Sequence, residues 1–287
     1  MTSPRPNSRA QIETVSGLTA GAASTLLCHP LDLLKTRLQL STGPLHLGSS
    51  LALIRQLLRT AGPQALYRGL TPNLLGNTTS WGLYFLLYST AKEHLHAHTA
   101  PEFLLASGAA GVVTAVATNP VWVIKTRMLG TDRMRGGYSS VADGVRRIWR
   151  EEGARGYWRG LVPAVVGVSH GALQFMVYER LKQWRRGESE TGIAEVVLGS
   201  KDFVVLSGAA KVSAGCITYP YRVVQTRMQN FEMGYTGPVE CVRKIWKGEG
   251  VRGFYKGLAP TIVRVLPSTC ITFLVYENVR VYMGVGA

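Results

Sequence analysis

Three blocks hold the residues in this chain best suited to handle charge. Pro30-Leu-Asp32-Leu-Leu-Lys35-Thr-Arg37 recurs as Pro120-Val-Trp122-Val-Ile-Lys125-Thr-Arg127 and again as Pro220-Tyr-Arg222-Val-Val-Gln225-Thr-Arg227. Residues three and four apart on a helix share a face, so Asp32, Lys35 and Gln39 project together. A proline inside a helix removes a backbone hydrogen bond and bends the chain. Pro30, Pro120 and Pro220 therefore predict three helices bent at equivalent depth, with charged groups just past each bend. That arrangement suits a gate that closes one end of a cavity by pairing charges. It does not suit bond-making: the sequence holds no phosphate-binding glycine loop, no metal-ligand cluster and no nucleophile with a partner set.

A second block follows each first one. Gly62 leads to Tyr67-Arg68-Gly69 and Pro72, Gly153 to Trp158-Arg159-Gly160 and Pro163, and Gly250 to Tyr255-Lys256-Gly257 and Pro260. Two independent blocks in the same order three times mark an internal repeat. The expected units are residues 1–98, 99–199 and 200–287, forming one domain. A third pattern closes each unit's second helix: Tyr88 with Lys92, Tyr178-Glu179 with Lys182, and Tyr276-Glu277 with Arg280. Acid and base three residues apart on several helices can pair across a bundle, giving a second ring at the opposite end. Between the rings, Lys211 and Arg264 interrupt apolar stretches, where a charge is costly and marks a functional path. His170 and Gln174, four apart, are weaker candidates. Gly17 with Gly21 and Gly167 with Gly171 have the spacing of close helix packing.

The elements that must position these groups are long and apolar. Of the 287 residues, 46% are hydrophobic and 17% charged, below the roughly 25% charged of soluble domains. Thr14–Leu31, Gly69–Ala91, Phe103–Ile124 and Gly160–Tyr178 lack any Asp, Glu, Lys or Arg, and each approaches the length that spans a bilayer. Two helices per repeat predict six spans, near residues 11–38, 72–97, 101–128, 163–185, 201–228 and 260–283. The three long connections, 35–72, 125–163 and 225–260, hold 20 of the 32 Lys and Arg against 7 of the 17 acids. One-sided basic loops orient membrane proteins and favour anionic lipid. A nucleic-acid binder carries its bases on one face interleaved with stacking aromatics, so the net charge of +15 is read as membrane topology. Cys28, Cys216, Cys241 and Cys270 lack metal-ligand spacing and read as buried reduced thiols. Met1–Gln11 has no apolar core of a signal peptide.

These blocks resemble the mitochondrial carrier family, whose repeat signature is Pro-x-acid-x-x-base-x-base followed by an acid-Gly segment and aromatic-base-Gly. The resemblance covers about residues 12 to 283. It implies an all-α membrane protein with six transmembrane helices in three pseudo-threefold repeats around a central cavity. It also implies short matrix-side helices near 48–60, 139–151 and 236–248, both termini toward the intermembrane space, and alternating access in the mitochondrial inner membrane. The expected partners are an anionic small solute, the bilayer and bound cardiolipin, with no nucleic acid, no metal and no catalytic cofactor, in a chain acting as a monomer. Trp81-Gly-Leu-Tyr84-Phe85, Gly167-Val-Ser-His170-Gly-Ala-Leu-Gln174-Phe175 and Arg264-Val-Leu-Pro267 are similar to the FAD and folate carrier branch. The resemblance implies solute contacts at Gly76 and Asn77, at Gly167 and Val168, and at Arg264; Trp122, His170, Gln174 and Lys211 complete the expected solute-binding set. FAD is the favoured solute, then folate, then NAD or a pyrimidine nucleotide.

The chain departs from the family pattern at its gate. Trp122 and Arg222 replace the acid, Gln225 replaces a base, and Ala61 replaces the acid before Gly62. Around the ring this would set Asp32 against Gln225, Trp122 against Lys35 in a cation-π contact, and Arg222 against Lys125. Gln39 and Gln229 match the family's bracing glutamine, whereas Leu129 does not. A gate without a full ion pair at these positions is expected to open without a counter-solute. Net uptake into vesicles empty of solute is the expected result, and strict one-for-one exchange would count against it.

Overall fold

A computed structural model describes residues 6–43, 48–95, 99–132, 136–186 and 200–283. Met1–Arg5 and the last residues expected of the second span, 96 and 97, lie outside them. Among the described residues helix is the only regular secondary structure. The first repeat comprises α1 (Pro6–Leu40), α2 (Ser49–Ala61) and α3 (Leu70–His94), and the second α4 (Ala100–Gly130), α5 (Val141–Glu152), α6 (Ala154–Tyr157), α7 (Leu161–Val166) and α8 (Ser169–Arg186). The third comprises α9 (Ser200–Ile217), α10 (Tyr219–Gln229), α11 (Pro238–Gly253) and α12 (Leu258–Tyr282). The six spans are therefore α1, α3, α4, α7 with α8, α9 with α10, and α12; α2, α5 and α11 are the short loop helices.

The expected prolines act unequally. Pro30 and Pro120 sit inside continuous helices, whereas Pro220 lies in the first turn of α10, after a break at Thr218. The fourth span breaks as well, at Gly167 and Val168 between α7 and α8. Residues 101–130, 154–185 and 258–282 are long and apolar enough to cross a membrane. At 35 and 25 residues, α1 and α3 have the length too, but Asp32, Lys35 and Arg37 on one and Asn73, Asn77 and Thr78 on the other make them more polar. Exposed Leu104, Leu105, Phe175, Met176, Leu266, Phe273 and Leu274 supply the apolar surface that lipid requires.

Local signals set the boundaries. A capping box joins Thr99 and Glu102 at the start of α4, and the Ser140 hydroxyl accepts from the Asp143 amide at the start of α5; both satisfy helix-end donors. Gly69, Gly160 and Gly257, the last residue of each aromatic-base-Gly block, take left-handed φ of 74°, 74° and 81° before α3, α7 and α12. They also let the chain approach a neighbouring span: a Cβ on Gly160 would lie 3.0 Å from the Gln225 carbonyl, and one on Gly257 2.9 Å from the Lys35 carbonyl.

The buried core lies at the loop end, in three copies. Leu33 with Leu57, Ile124 with Ile148, and Val223 with Ile245 each pack the end of an odd span against its loop helix. Around the bundle α1 packs on α12, α3 on α4 and α8 on α9, and at the loop end α1, α4 and α10 meet one another. The Ser24 and Ser268 hydroxyls, 2.8 Å apart, join the first span to the last. All four cysteines are free. Cys28 and Cys241 are buried as expected, but Cys270 is exposed on α12 and Cys216 partly covered, because apolar residues of a span also face outward. Burial pushes the Cys241 thiol up to about 12, far from nucleophile or ligand.

Glu249 joins Arg227 at 2.5 Å and also pairs with Lys256. Burial acts to raise its carboxyl, but the bonds from Arg227 and Lys256 outweigh this and hold it below 4.5. Its stabilising contribution is thus present above pH 4.5 and lost as pH falls through the lower folded value. Removing one partner of a buried pair costs about 3–5 kcal/mol. Glu249→Ala is expected to lower the thermal midpoint of the purified protein strongly, and to flatten its fall on acidification.

Candidate functional site

The odd spans converge on a ring of arginines that repeats three times. Arg37 Nε donates to the Leu129 carbonyl at 3.1 Å, Arg127 Nε to that of Gln229 at 2.9 Å, and Arg227 Nε to that of Gln39 at 2.8 Å. Each repeat therefore holds the next, and the third holds the first. Each arginine also takes a carboxylate: Glu152 for Arg127 and Glu249 for Arg227, both the acid before a repeated glycine. Ala61 occupies that place in the first repeat, so Arg37 crosses to Asp132 of the second. Arg68 donates to the Met128 and Tyr138 carbonyls, at 2.7 and 3.3 Å. The second base of each eight-residue block carries this ring. The triplicated Thr-Arg is the signal for it, although reading only acid and first base overlooks it.

Inside that ring the glutamines bridge spans. Gln39 Nε2 donates to the Tyr219 hydroxyl at 3.0 Å, and its Oε1 accepts from Thr226 at 2.9 Å. Gln229 Oε1 accepts from Thr126 at 2.7 Å. Leu129 offers only its carbonyl.

The charges above differ from the expected pairing. Asp32 bonds Arg264 Nη1 at 2.5 Å and accepts from Asn73 Nδ2 at 3.2 Å. It does not pair with Gln225, because a guanidinium is a stronger partner than a neutral amide for a buried carboxylate. The cation over Trp122 is Lys125, at 4.5 Å, rather than Lys35, since residues three apart on one helix meet. Arg222 turns to the Tyr221 hydroxyl at 3.3 Å and does not face Lys125 as a partner, the two being like charges. Lys35 thus has Arg222, Lys125 and Arg264 as charged neighbours, with Asp32 the carboxylate among them. Asn73 also donates to His29 Nδ1 at 3.2 Å, and His29 Nε2 donates to the Arg68 carbonyl at 2.8 Å. Neither residue lies at a repeated charged position, so pattern reading misses both.

The three central points each meet a side chain of a neighbouring odd span. Gly76 lies under Trp122, whose Nε1 donates to Ser80 at 3.2 Å. Gly167 lies against the Tyr221 ring, and Val168 packs on Gly111. Asn77 reaches Thr25 at 3.4 Å. His170 Nδ1 meets the Thr218 hydroxyl at 2.8 Å; that hydroxyl already donates to the Ala214 carbonyl, so His170 is the donor. His170 therefore joins the breaks in the fourth and fifth spans. Gln174 is half-buried and Lys211 exposed.

At the far end no second ring is assembled among the described residues. Glu179 pairs with Lys182 at 3.6 Å and Glu277 with Arg280 at 4.0 Å, each along its own helix. Lys92 lies 5.5 Å from the Phe103 ring, Lys182 6.0 Å from that of Tyr178, and Tyr88 stacks on Tyr84; Tyr276 is half-buried. Among the described residues these groups make no ion pair between even spans.

Three helical repeats, closed at one end by a ring and carrying charge along their axis, define a membrane solute carrier. Residues 7–99, 96–189 and 202–285 each match the family model described as mitochondrial carrier protein, and the chain belongs to that family. It is 38% identical to the mitochondrial FAD carrier protein of Saccharomyces cerevisiae, over 94% of this chain and 96% of the other. It is 37% identical to nicotinamide adenine dinucleotide transporter 1, chloroplastic, of Arabidopsis thaliana, over 97% and 94%. It is 38% identical to folate transporter 1, chloroplastic, of the same plant, over 92% of each.

Arg264→Ala leaves Asp32 without its guanidinium and removes a central cation. Loss of solute uptake is expected in reconstituted vesicles, and wild-type uptake by a normally folded variant would remove Arg264 from the site.

Proposed function

We propose that this transporter carries FAD between cytosol and mitochondrial matrix, by alternating access at the centre of the bundle. The observation that carries the reading is the bond of Arg264 to Asp32 next to Lys35, whose charged neighbours also include Lys125 and Arg222. So many cations beside one carboxylate suit a solute with several negative charges, such as a pyrophosphate. The matched FAD and nicotinamide dinucleotide carriers favour a dinucleotide; the folate transporter supports folate as the second reading.

In this reading Arg264, Lys211, His170 and Gln174 hold the anionic part, while Gly76, Asn77, Gly167 and Val168 border the rings. Asp32, Lys35, Gln39, Trp122, Lys125, Arg222, Gln225 and Gln229 form the matrix gate, here closed. Tyr88, Lys92, Tyr178, Glu179, Lys182, Tyr276, Glu277 and Arg280 form the cytoplasmic gate, here open. The basic loops then face the matrix and both termini the intermembrane space.

Cardiolipin fits the loop end in the same proposal. A cavity of about 910 Å³ there is bordered by Arg68, Gly69, Thr71, Ser139 and Ser140, at the starts of α3 and α5, where helix amides attract anions.

Uptake by purified protein in cardiolipin-containing liposomes tests the solute. Saturable FAD uptake that folate fails to compete is the expected result. Folate uptake without FAD transport would replace the first reading with the second.

A further inference from the structure

Gly76, Gly167 and Arg264 each stand four residues beyond a repeated proline, Pro72, Pro163 or Pro260, so they occupy one level of the bundle. Each is covered by a side chain one or two residues past the proline of a neighbouring odd span. Trp122, two residues past Pro120, lies on Gly76, where an added Cβ would be 3.4 Å from the indole. Tyr221, one past Pro220, lies on Gly167, where an added Cβ would be 2.7 Å from the ring. Asp32, two past Pro30, bonds Arg264 at 2.5 Å. Two of the points are therefore capped by flat aromatic rings and the third by a carboxylate.

We propose that Trp122, Tyr221 and Asp32 are internal stand-ins for the solute, which binds by displacing them. The inference deepens the FAD reading and takes its choice of solute from it. Two rings and one anion, held at three points of one level, mirror a molecule with two ring systems joined through an anionic bridge. A dinucleotide supplies all three replacements, whereas a mononucleotide supplies one ring and the anion. Displacement also reaches the closed end. Each stand-in sits on the gate segment of its odd span, so a solute that replaces it breaks a tie between that span and its even neighbour. Binding energy is then exchanged for ties already made, which keeps the empty carrier shut and lets the loaded one open.

The proposal inverts the usual sign of a binding-site substitution. A direct contact, once removed, weakens binding. A stand-in competes with the solute, so its removal raises the fraction of binding-competent protein and tightens apparent affinity. Equilibrium binding to full-length purified protein should be measured with FAD, FMN and inorganic pyrophosphate. Asp32→Asn is expected to bind FAD and pyrophosphate about three- to tenfold more tightly than wild type. Trp122→Ala and Tyr221→Ala should each tighten FAD, FMN should gain from only one of them, and Tyr221→Phe, which keeps the ring, should match wild type. If Asp32→Asn does not fold, the two aromatic variants carry the same test. Weaker or unchanged binding in the three variants overturns the proposal and makes these side chains ordinary contacts or packing. Tighter pyrophosphate binding by Asp32→Asn, with no FAD binding by any form, upholds the anionic stand-in and rejects the FAD reading instead.

Discussion

Everything at the closed end depends on three buried guanidinium groups. Arg127 and Arg227 are almost wholly withdrawn from solvent, and Arg37 is nearly so. A charge removed from water must be paired and hydrogen bonded or it is strongly destabilising. Two of these arginines find a carboxylate within their own repeat, and every one finds a backbone carbonyl on the next. The carbonyl belongs to the final turn of a helix, where acceptors lack intrahelical partners. One contact therefore satisfies a buried cation, completes a helix end and joins two repeats.

The departures from threefold symmetry have local consequences rather than a change of fold. Ala61 removes one acid, and Arg37 and Arg68 both cross to the second repeat in response. Gln225 removes one gate base, and Asp32 turns from the ring of odd spans to Arg264 on the last span. That turn brings the gate into contact with the central level. In a fully symmetric pattern the acid would be held by its gate neighbours; here it is held by the residue best placed to meet an anion.

The spans and loop helices are legible in the sequence because hydropathy, proline and glycine are properties of single positions, and triplication makes each visible three times. The final aromatic-base-Gly glycine, for example, reads as a marker, and the structure adds that it turns the chain against a neighbouring backbone. Pair identities are far less legible. Asp32 with Arg264, separated by 232 positions, follows from the rotation of two helices about their axes. Trp122 is drawn toward Ser80 and Gly76 for the same reason. Repetition states which positions are equivalent but not which way a substituted side chain turns once its usual partner is missing.

The seam between α1 and α12 bears on how the chain reaches this form. The hydroxyl pair of Ser24 and Ser268, the bond from Arg227 to Gln39 and the pair of Asp32 with Arg264 all join the beginning of the chain to its end. Contacts of such long sequence separation form late, because the entropy of closing the intervening loop must be met first. During synthesis the first repeat emerges with its carboxylate and helix-end carbonyls still lacking these partners. Each nascent chain therefore passes through an interval as an open arc, and only the arrival of the last helix turns that arc into a closed barrel.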